Sequence, residues 1–116
     1  MFLVRIGDTM RVAFASYDNT IIDQHFGSAR YWQIYDIDSE STFIETRKIP
    51  VTYQEKHELK FNQILTVLED CEAFFVLQIG ESAVAYMILN HKRVFEASGD
   101  IQSIAHELIK SDLLNE

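Results

Sequence analysis

Two short apolar runs restrict what this chain can fold into. Val12-Ala13-Phe14-Ala15 and Ala73-Phe74-Phe75-Val76-Leu77 contain no alternating polar residue and are too short to be read as helices. Runs of this kind form strands buried on both faces, so they call for a sheet with helices packed on it. The first run ends in the polar stretch Ser16 to Thr20, and its position predicts a central strand.

The remaining pattern supplies the other elements. Tyr31 to Ile37 and Thr42 to Ile49 are aromatic and β-branched runs separated by Asp38-Ser39-Glu40-Ser41, which predicts an antiparallel hairpin whose second arm Pro50 closes. Thr52 with Glu55 three residues later resembles a capping box. Phe61, Ile64, Leu65 and Leu68 follow at helical spacing, so a helix is expected from the mid-50s to Glu69. Gly80 turns the chain into a short helix from Glu81 to Leu89, and Lys92 to Phe95 reads as the last strand. Asp100 caps a final helix whose apolar face is Ile101, Ile104, Ala105, Leu108 and Ile109. The order strand, hairpin, helix, strand, helix, strand, helix predicts an α/β fold with a mixed five-stranded sheet and an antiparallel hairpin edge. Right-handed crossovers place the first strand beside the Ala73 to Leu77 strand and parallel to it.

Composition narrows the function classes. A chain of 116 residues suits one core, and 47% hydrophobic residues with four glycines and one proline are globular rather than disordered. Residues 10–116 are therefore expected as a single domain, with residues 1–9 either an N-terminal extension that contains a short strand at Phe2 to Ile6 or simply an upstream start. A net charge of −8 opposes nonspecific binding to nucleic acid or to an anionic membrane, so neither is expected as a partner. No apolar run approaches the roughly 20 residues of a membrane span. Met1 to Met10 lacks the features of a secretory leader, so the cytoplasm is the expected compartment. The single cysteine, Cys71, excludes an internal disulfide and a multi-cysteine cage, and with them a secreted disulfide scaffold or a structural zinc site. Any metal is bound by few donors or arrives with ligands of its own.

Ligands of open α/β sheets bind beyond the carboxyl ends of the strands. Two loops are expected to meet at that edge. One is Ser16 to Ala29, which carries Asp23-Gln24-His25-Phe26-Gly27-Ser28-Ala29. The other is Gln78-Ile79-Gly80-Glu81-Ser82-Ala83, where N–H groups at a helix start can face an anion. Together they make an anion and metal site from few side chains, with His25, Gly27, Ser28, Arg30, Gly80 and Ser82 as its candidate residues.

These same residues carry a family resemblance. Met10 to Ser16, then Asp23 to Ala29, then Tyr35 resemble the dinitrogenase iron-molybdenum cofactor biosynthesis family, in particular its NifX/NafY-like members. The Asp-Gln-His-Phe-Gly-Ser-Ala string is the specific part. Asp70-Cys71-Glu72-Ala73 before a strand, Ile79-Gly80 with Ala83 and Ala85 after it, and a closing helix extend the resemblance over roughly residues 10–110. The resemblance implies a ribonuclease H-like three-layer fold and no catalytic residues. It also implies that an iron-sulfur cofactor precursor or the iron-molybdenum cofactor is bound as cargo, with nitrogenase assembly proteins or apo-nitrogenase as partners of a monomer or homodimer. His25 is carried over as the metal ligand. The chain departs from the pattern at Glu81, where a second small residue is expected and a carboxylate opposes an anionic cluster unless it points away.

A carrier needs little ligation. A preassembled cluster brings its sulfides, so one imidazole suffices when its other nitrogen is held by an acceptor, and weak ligation permits release. Backbone dipoles and Arg30 assist. Blander readings stand beside these. A lone loop histidine is commonly a surface residue, Gly27 serves a tight turn with positive φ, and Phe26 is a core plug. Cys71 is expected as a half-buried structural thiol at the sheet edge opposite His25, with a ligand role through a dimer left open. His57, His91 and His106 read as solvated or capping residues, and Glu69, Asp70 and Glu72 as a solvated turn.

Enzymatic rivals fit less well. A two-metal nuclease requires carboxylates on the central strand, and Val12 to Ala15 has none. A hydrolase with His25 as base, Asp23 orienting it and Ser28 or Ser82 as nucleophile lacks a nucleophile-elbow pattern. The alternative that uses the same loops is a regulatory or docking module that binds a small anion or a partner.

Overall fold

The computed structural model describes residues 9–50 and 57–111. The expected Phe2 to Ile6 strand and the Thr52 and Glu55 capping pair lie outside them. β1 (Met10–Ala15) is the middle strand of five. It pairs antiparallel with β3 (Tyr31–Ile37), which continues through a tight turn into β4 (Ser41–Lys48). On its other side it pairs in parallel with β5 (Ala73–Val76), and β5 pairs in parallel with β6 (Arg93–Glu96). The sheet order is β4-β3-β1-β5-β6, a parallel half beside an antiparallel hairpin, as the two apolar runs predict.

The pleat divides these strands between two helical layers. Ala13, Ala15, Trp32, Ile34, Phe74 and Val76 face α1 (His57–Val67) and α2 (Glu81–Leu89), which contribute Phe61, Ile64 and Leu65, then Ala83 and Met87, with Leu68 just past the end of α1. Val12, Phe14, Tyr35, Ile37, Ala73 and Phe75 face α3 (Ile101–Lys110) through Ile101, Ala105 and Leu108. Alanines at 13 and 15 leave room over the central strand. Trp32 on β3 and Phe74 on β5 therefore meet across it, with ring centroids 5.8 Å apart.

Asp100 caps α3 as expected, its Oδ2 accepting from Ser103 N at 3.1 Å and from Ser103 Oγ at 2.8 Å. Asp100→Ala is expected to cost about 1 kcal/mol in a urea titration, because an orphan N–H of the first turn loses its acceptor. Asp100→Asn should retain most of the stability.

Some features depart from the sequence reading or add to it. The segment between β1 and β3, read as one open loop, contains β2 (Ile21–Ile22) and a 3-10 turn over Phe26–Ser28. β2 pairs antiparallel with β7 (Gly99–Asp100), and elements of two residues carry no periodicity to read. The last sheet strand runs from Arg93 to Glu96, one residue later than expected. Asp70 lies in an exposed turn, as expected, but it is also ion-paired. Its carboxylate accepts from Arg47 at 2.6 and 2.9 Å and from Arg11 at 2.9 Å, while Arg11 also grips Asp36 at 2.7 and 2.9 Å. Arg47 holds the Asp70 carboxyl well below the usual carboxylate range. The stability this adds is present above the ordinary value of 3.8 and lost as pH falls below it.

Candidate functional site

At the carboxyl edge of the parallel strands the chain folds back on itself. Ser16 follows β1 fully buried, its carbonyl accepting from Gln33 Nε2 at 2.8 Å and its Oγ from Asn19 N at 3.1 Å. Asn19 takes the left-handed conformation at φ 63, which asparagine tolerates, and its Oδ1 accepts from Tyr35 OH at 2.7 Å. Asp23 N then donates to Ala15 O at 3.2 Å, and Asp23 Oδ1 accepts from Tyr17 N at 3.2 Å. The loop is thereby tied to the end of the strand it left.

The two expected loops join here through their backbones. Leu77 N donates to Gln24 O and Phe26 N donates to Gln78 O, both at 2.9 Å. His25 lies between these two bonds. The Gln24 side chain closes the loop at its base, Oε1 accepting from Arg30 N at 2.9 Å and Tyr31 N at 3.3 Å. Phe26 plugs the core against Trp32 and Phe61, with centroids 6.0 and 5.8 Å away. The backbone at 25 is fixed while the His25 side chain stays exposed, with no hydrogen bond to its imidazole among the described residues. The acceptor expected to hold its second nitrogen is missing from that set.

The other candidates share this edge. Gly27, Ser28 and Arg30 are exposed beside His25 in sequence. Gly80 is the N-cap of α2 in an extended conformation, its carbonyl accepting from Val84 N at 3.0 Å, and Ser82 is exposed in the first turn. The N–H groups of that turn have no intrahelical acceptor and carry the positive end of the helix dipole. Gly27 does not take positive φ; among the described residues Gly99 is the glycine that does, at φ 107. A Cβ at Gly27 or Gly80 meets nothing within 4 Å, so local packing does not demand glycine at either position. Glu81 is exposed at the first position of α2. A residue the sequence reading missed is Glu96, whose Oε2 accepts from Ile79 N at 3.0 Å and orients the turn into α2. Its place just past the expected end of the last strand was the available signal.

No group of three or more His, Cys, Asp or Glu suited to a metal ion occurs among the described residues. The donors this edge offers include the His25 imidazole, the Arg30 guanidinium, backbone N–H groups and hydroxyls. Cys71 sits at the amino end of β5, opposite His25, and is fully buried rather than half-buried. Burial pushes its thiol from 9.0 up to about 12. Ellman's reagent at pH 8 is expected to leave it unmodified in the folded protein and to react in denaturant. The unfolded thiol ionises first, so the stability from keeping it neutral is present below 9.0 and lost as pH rises toward about 12. His91 takes φ 61 just past the end of α2, and His106 is exposed on α3. No helix among the described residues is long and apolar enough to cross a membrane.

A mixed sheet covered on both faces, with two hydrogen-bonded loops at its carboxyl edge, defines an α/β domain with a candidate site at one edge of the sheet. The chain belongs to the dinitrogenase iron-molybdenum cofactor family, whose model matches residues 8–111. It is similar to protein NifX of Azotobacter vinelandii, 34% identical over 83 residues that make up 71% of this chain and 52% of NifX. It is also similar to the FeMo cofactor biosynthesis protein NifB of Chlorobaculum tepidum, 31% identical over 97 residues, 80% of this chain and 20% of that protein. The chain thus spans about half the length of the NifX relative and a fifth of the NifB relative. The crystal structure of PH0822 shares the fold, with a TM-score of 0.70 and 20% identity over 87% of this chain and 90% of that one.

Proposed function

We propose that this domain binds and carries an iron-sulfur cofactor precursor, or the iron-molybdenum cofactor itself, during nitrogenase cofactor biosynthesis. It acts as a non-catalytic cytoplasmic accessory protein that exchanges cargo with assembly proteins or apo-nitrogenase. The observation that carries this reading is His25, exposed and held between two backbone hydrogen bonds that join the loops at the carboxyl edge. One imidazole beside the start of α2 suits a cluster that brings its own sulfides and must later be released. Ser28, Ser82 and Arg30 add donors, and Gly27 and Gly80 keep the approach clear of side chains. Family membership and the names of the relatives support the same pathway. Residues 10–116 are read as one cofactor-binding unit, and the sheet as ribonuclease H-like on its strand order.

The missing acceptor on His25 favours a second reading, a regulatory or docking module that takes a partner or a small anion without a cluster. Co-expression with a cluster-producing assembly system, followed by anaerobic isolation, separates the two. A carrier is brown with stoichiometric iron and acid-labile sulfide, whereas folded protein that stays colourless and iron-free contradicts the carrier reading.

A further inference from the structure

We propose that the outer face of α2 is the interface of a homodimer, packing antiparallel on α2 of a second copy of the chain. The inference does not depend on what the His25 edge holds. α2 reads Glu81-Ser82-Ala83-Val84-Ala85-Tyr86-Met87-Ile88-Leu89, so every position after the first two is apolar or aromatic. A helix that is apolar all round is ordinarily buried all round. This one is covered on one side, where Ala83 and Met87 enter the core and Tyr86 packs on Phe61 with centroids 5.6 Å apart. Ile88 and Leu89 stay 64% and 78% exposed, the most exposed large hydrophobic side chains among the described residues.

The exposed residues form one stripe. Glu81, Ser82, Ala85, Ile88 and Leu89 are all exposed, and their spacing along the helix puts them on a single face. Along the middle of that face the order is acid, small, large: Glu81, then Ala85, then Ile88. A base completes it. Past the helix end Lys92 lines one hollow with Ile88, His91 and Arg93, and Glu72 is the acid among the lining residues, so this end of the stripe is net cationic. The Lys92 ammonium donates to the carbonyls of Glu69 and Cys71 at 2.7 and 2.8 Å, which fixes it in place and leaves its charge unneutralised.

Turned end for end, such a stripe matches itself. Ala85 lies opposite Ile88 of the partner subunit, small against large, and each Glu81 carboxylate faces the cationic end of the other helix. The contact is the same on both copies, so it closes at two. Antiparallel packing also sets the positive start of each helix beside the negative end of the other. Parallel packing would instead bring Glu81 against Glu81 and Ile88 against Ile88. Glu81, which opposes an anionic cluster at the carboxyl edge, thereby gains a cationic neighbour. A helix of nine residues covers less than a standard interface, so the dimer is expected to be weak, forming between micromolar and millimolar protein.

Sedimentation equilibrium from micromolar to millimolar protein is expected to show a monomer–dimer equilibrium. Replacing both exposed side chains, Ile88→Lys with Leu89→Lys, is expected to weaken it at least about tenfold. The double variant should keep the wild-type urea midpoint, because neither side chain is in the core. Orientation is read from a mixture of nitrogen-15-labelled wild type with unlabelled Ser82→Cys protein carrying a nitroxide, Cys71 being buried and closed to the reagent. Antiparallel packing is expected to broaden the amides of Ile88 to Asn90 in the labelled subunit. Broadening centred on Glu81 to Ala83 overturns the antiparallel pairing. Wild type that stays monomeric at millimolar concentration overturns the dimer, and an undiminished dimer in the folded double variant overturns α2 as its interface. The broadening is read on wild type, so the test survives a double variant that fails to fold.

Discussion

Phe14→Ala is expected to destabilise the protein by about 3 to 5 kcal/mol, a large share of the roughly 5 to 15 kcal/mol available to a domain of this kind. Phe14 is fully buried on the central strand and stacks on Phe75 at 5.2 Å while meeting Tyr35 edge-on at 5.3 Å. The row continues outward through Phe95 at 4.9 Å from Phe75 and Phe43 at 5.4 Å from Tyr35, so each strand of the sheet contributes one ring on the α3 face. Removing the middle ring opens a cavity that rigid strands on both sides cannot close. Urea denaturation of wild type, Phe14→Ala and Phe14→Leu measures the cost. The leucine variant should lose much less, and a loss below about 1 kcal/mol for alanine would contradict the packing described.

His25→Ala is expected to lower affinity for an iron-sulfur precursor at least tenfold, a magnitude on the order of what outer-sphere partners alone contribute at metal sites. The same substitution should leave the urea midpoint unchanged, because the side chain is exposed and no described residue hydrogen-bonds to it. Loss of binding therefore cannot be attributed to unfolding. His106→Ala is the control, since His106 is also exposed but lies on α3 rather than in the carboxyl-edge loops. Equal affinity in wild type and His25→Ala would remove His25 from the site.

The sheet was legible because burial leaves a mark in composition. β1 and β5 are apolar on both faces, β3 and β4 are rich in aromatic and β-branched residues, and α3 presents Ile101, Ala105 and Leu108 at helical spacing. The edge that gathers His25 and Gly80 followed from two parallel strands ending on the same side. Other features left no such mark. The bonds between Gln24, Phe26, Leu77 and Gln78 are made by backbone atoms more than fifty residues apart, and backbone groups are the same in every sequence. Pairing of β2 with β7 is equally silent. Asp70 looks like any acidic turn residue until folding brings Arg11 and Arg47 to it from two other strands. That the buried Trp32 indole N–H has no hydrogen-bond partner among the described residues depends on which side chains surround it, which only the packed layer defines.

The most direct measurement is an anaerobic titration of the purified protein with an isolated iron-sulfur cofactor precursor, followed by absorption and by co-migration on gel filtration. A carrier binds with a defined stoichiometry and elutes with the cluster absorption, and that co-elution is lost in His25→Ala. Folded wild-type protein that elutes free of the cluster at every ratio contradicts the carrier reading and leaves the anion-binding module in its place.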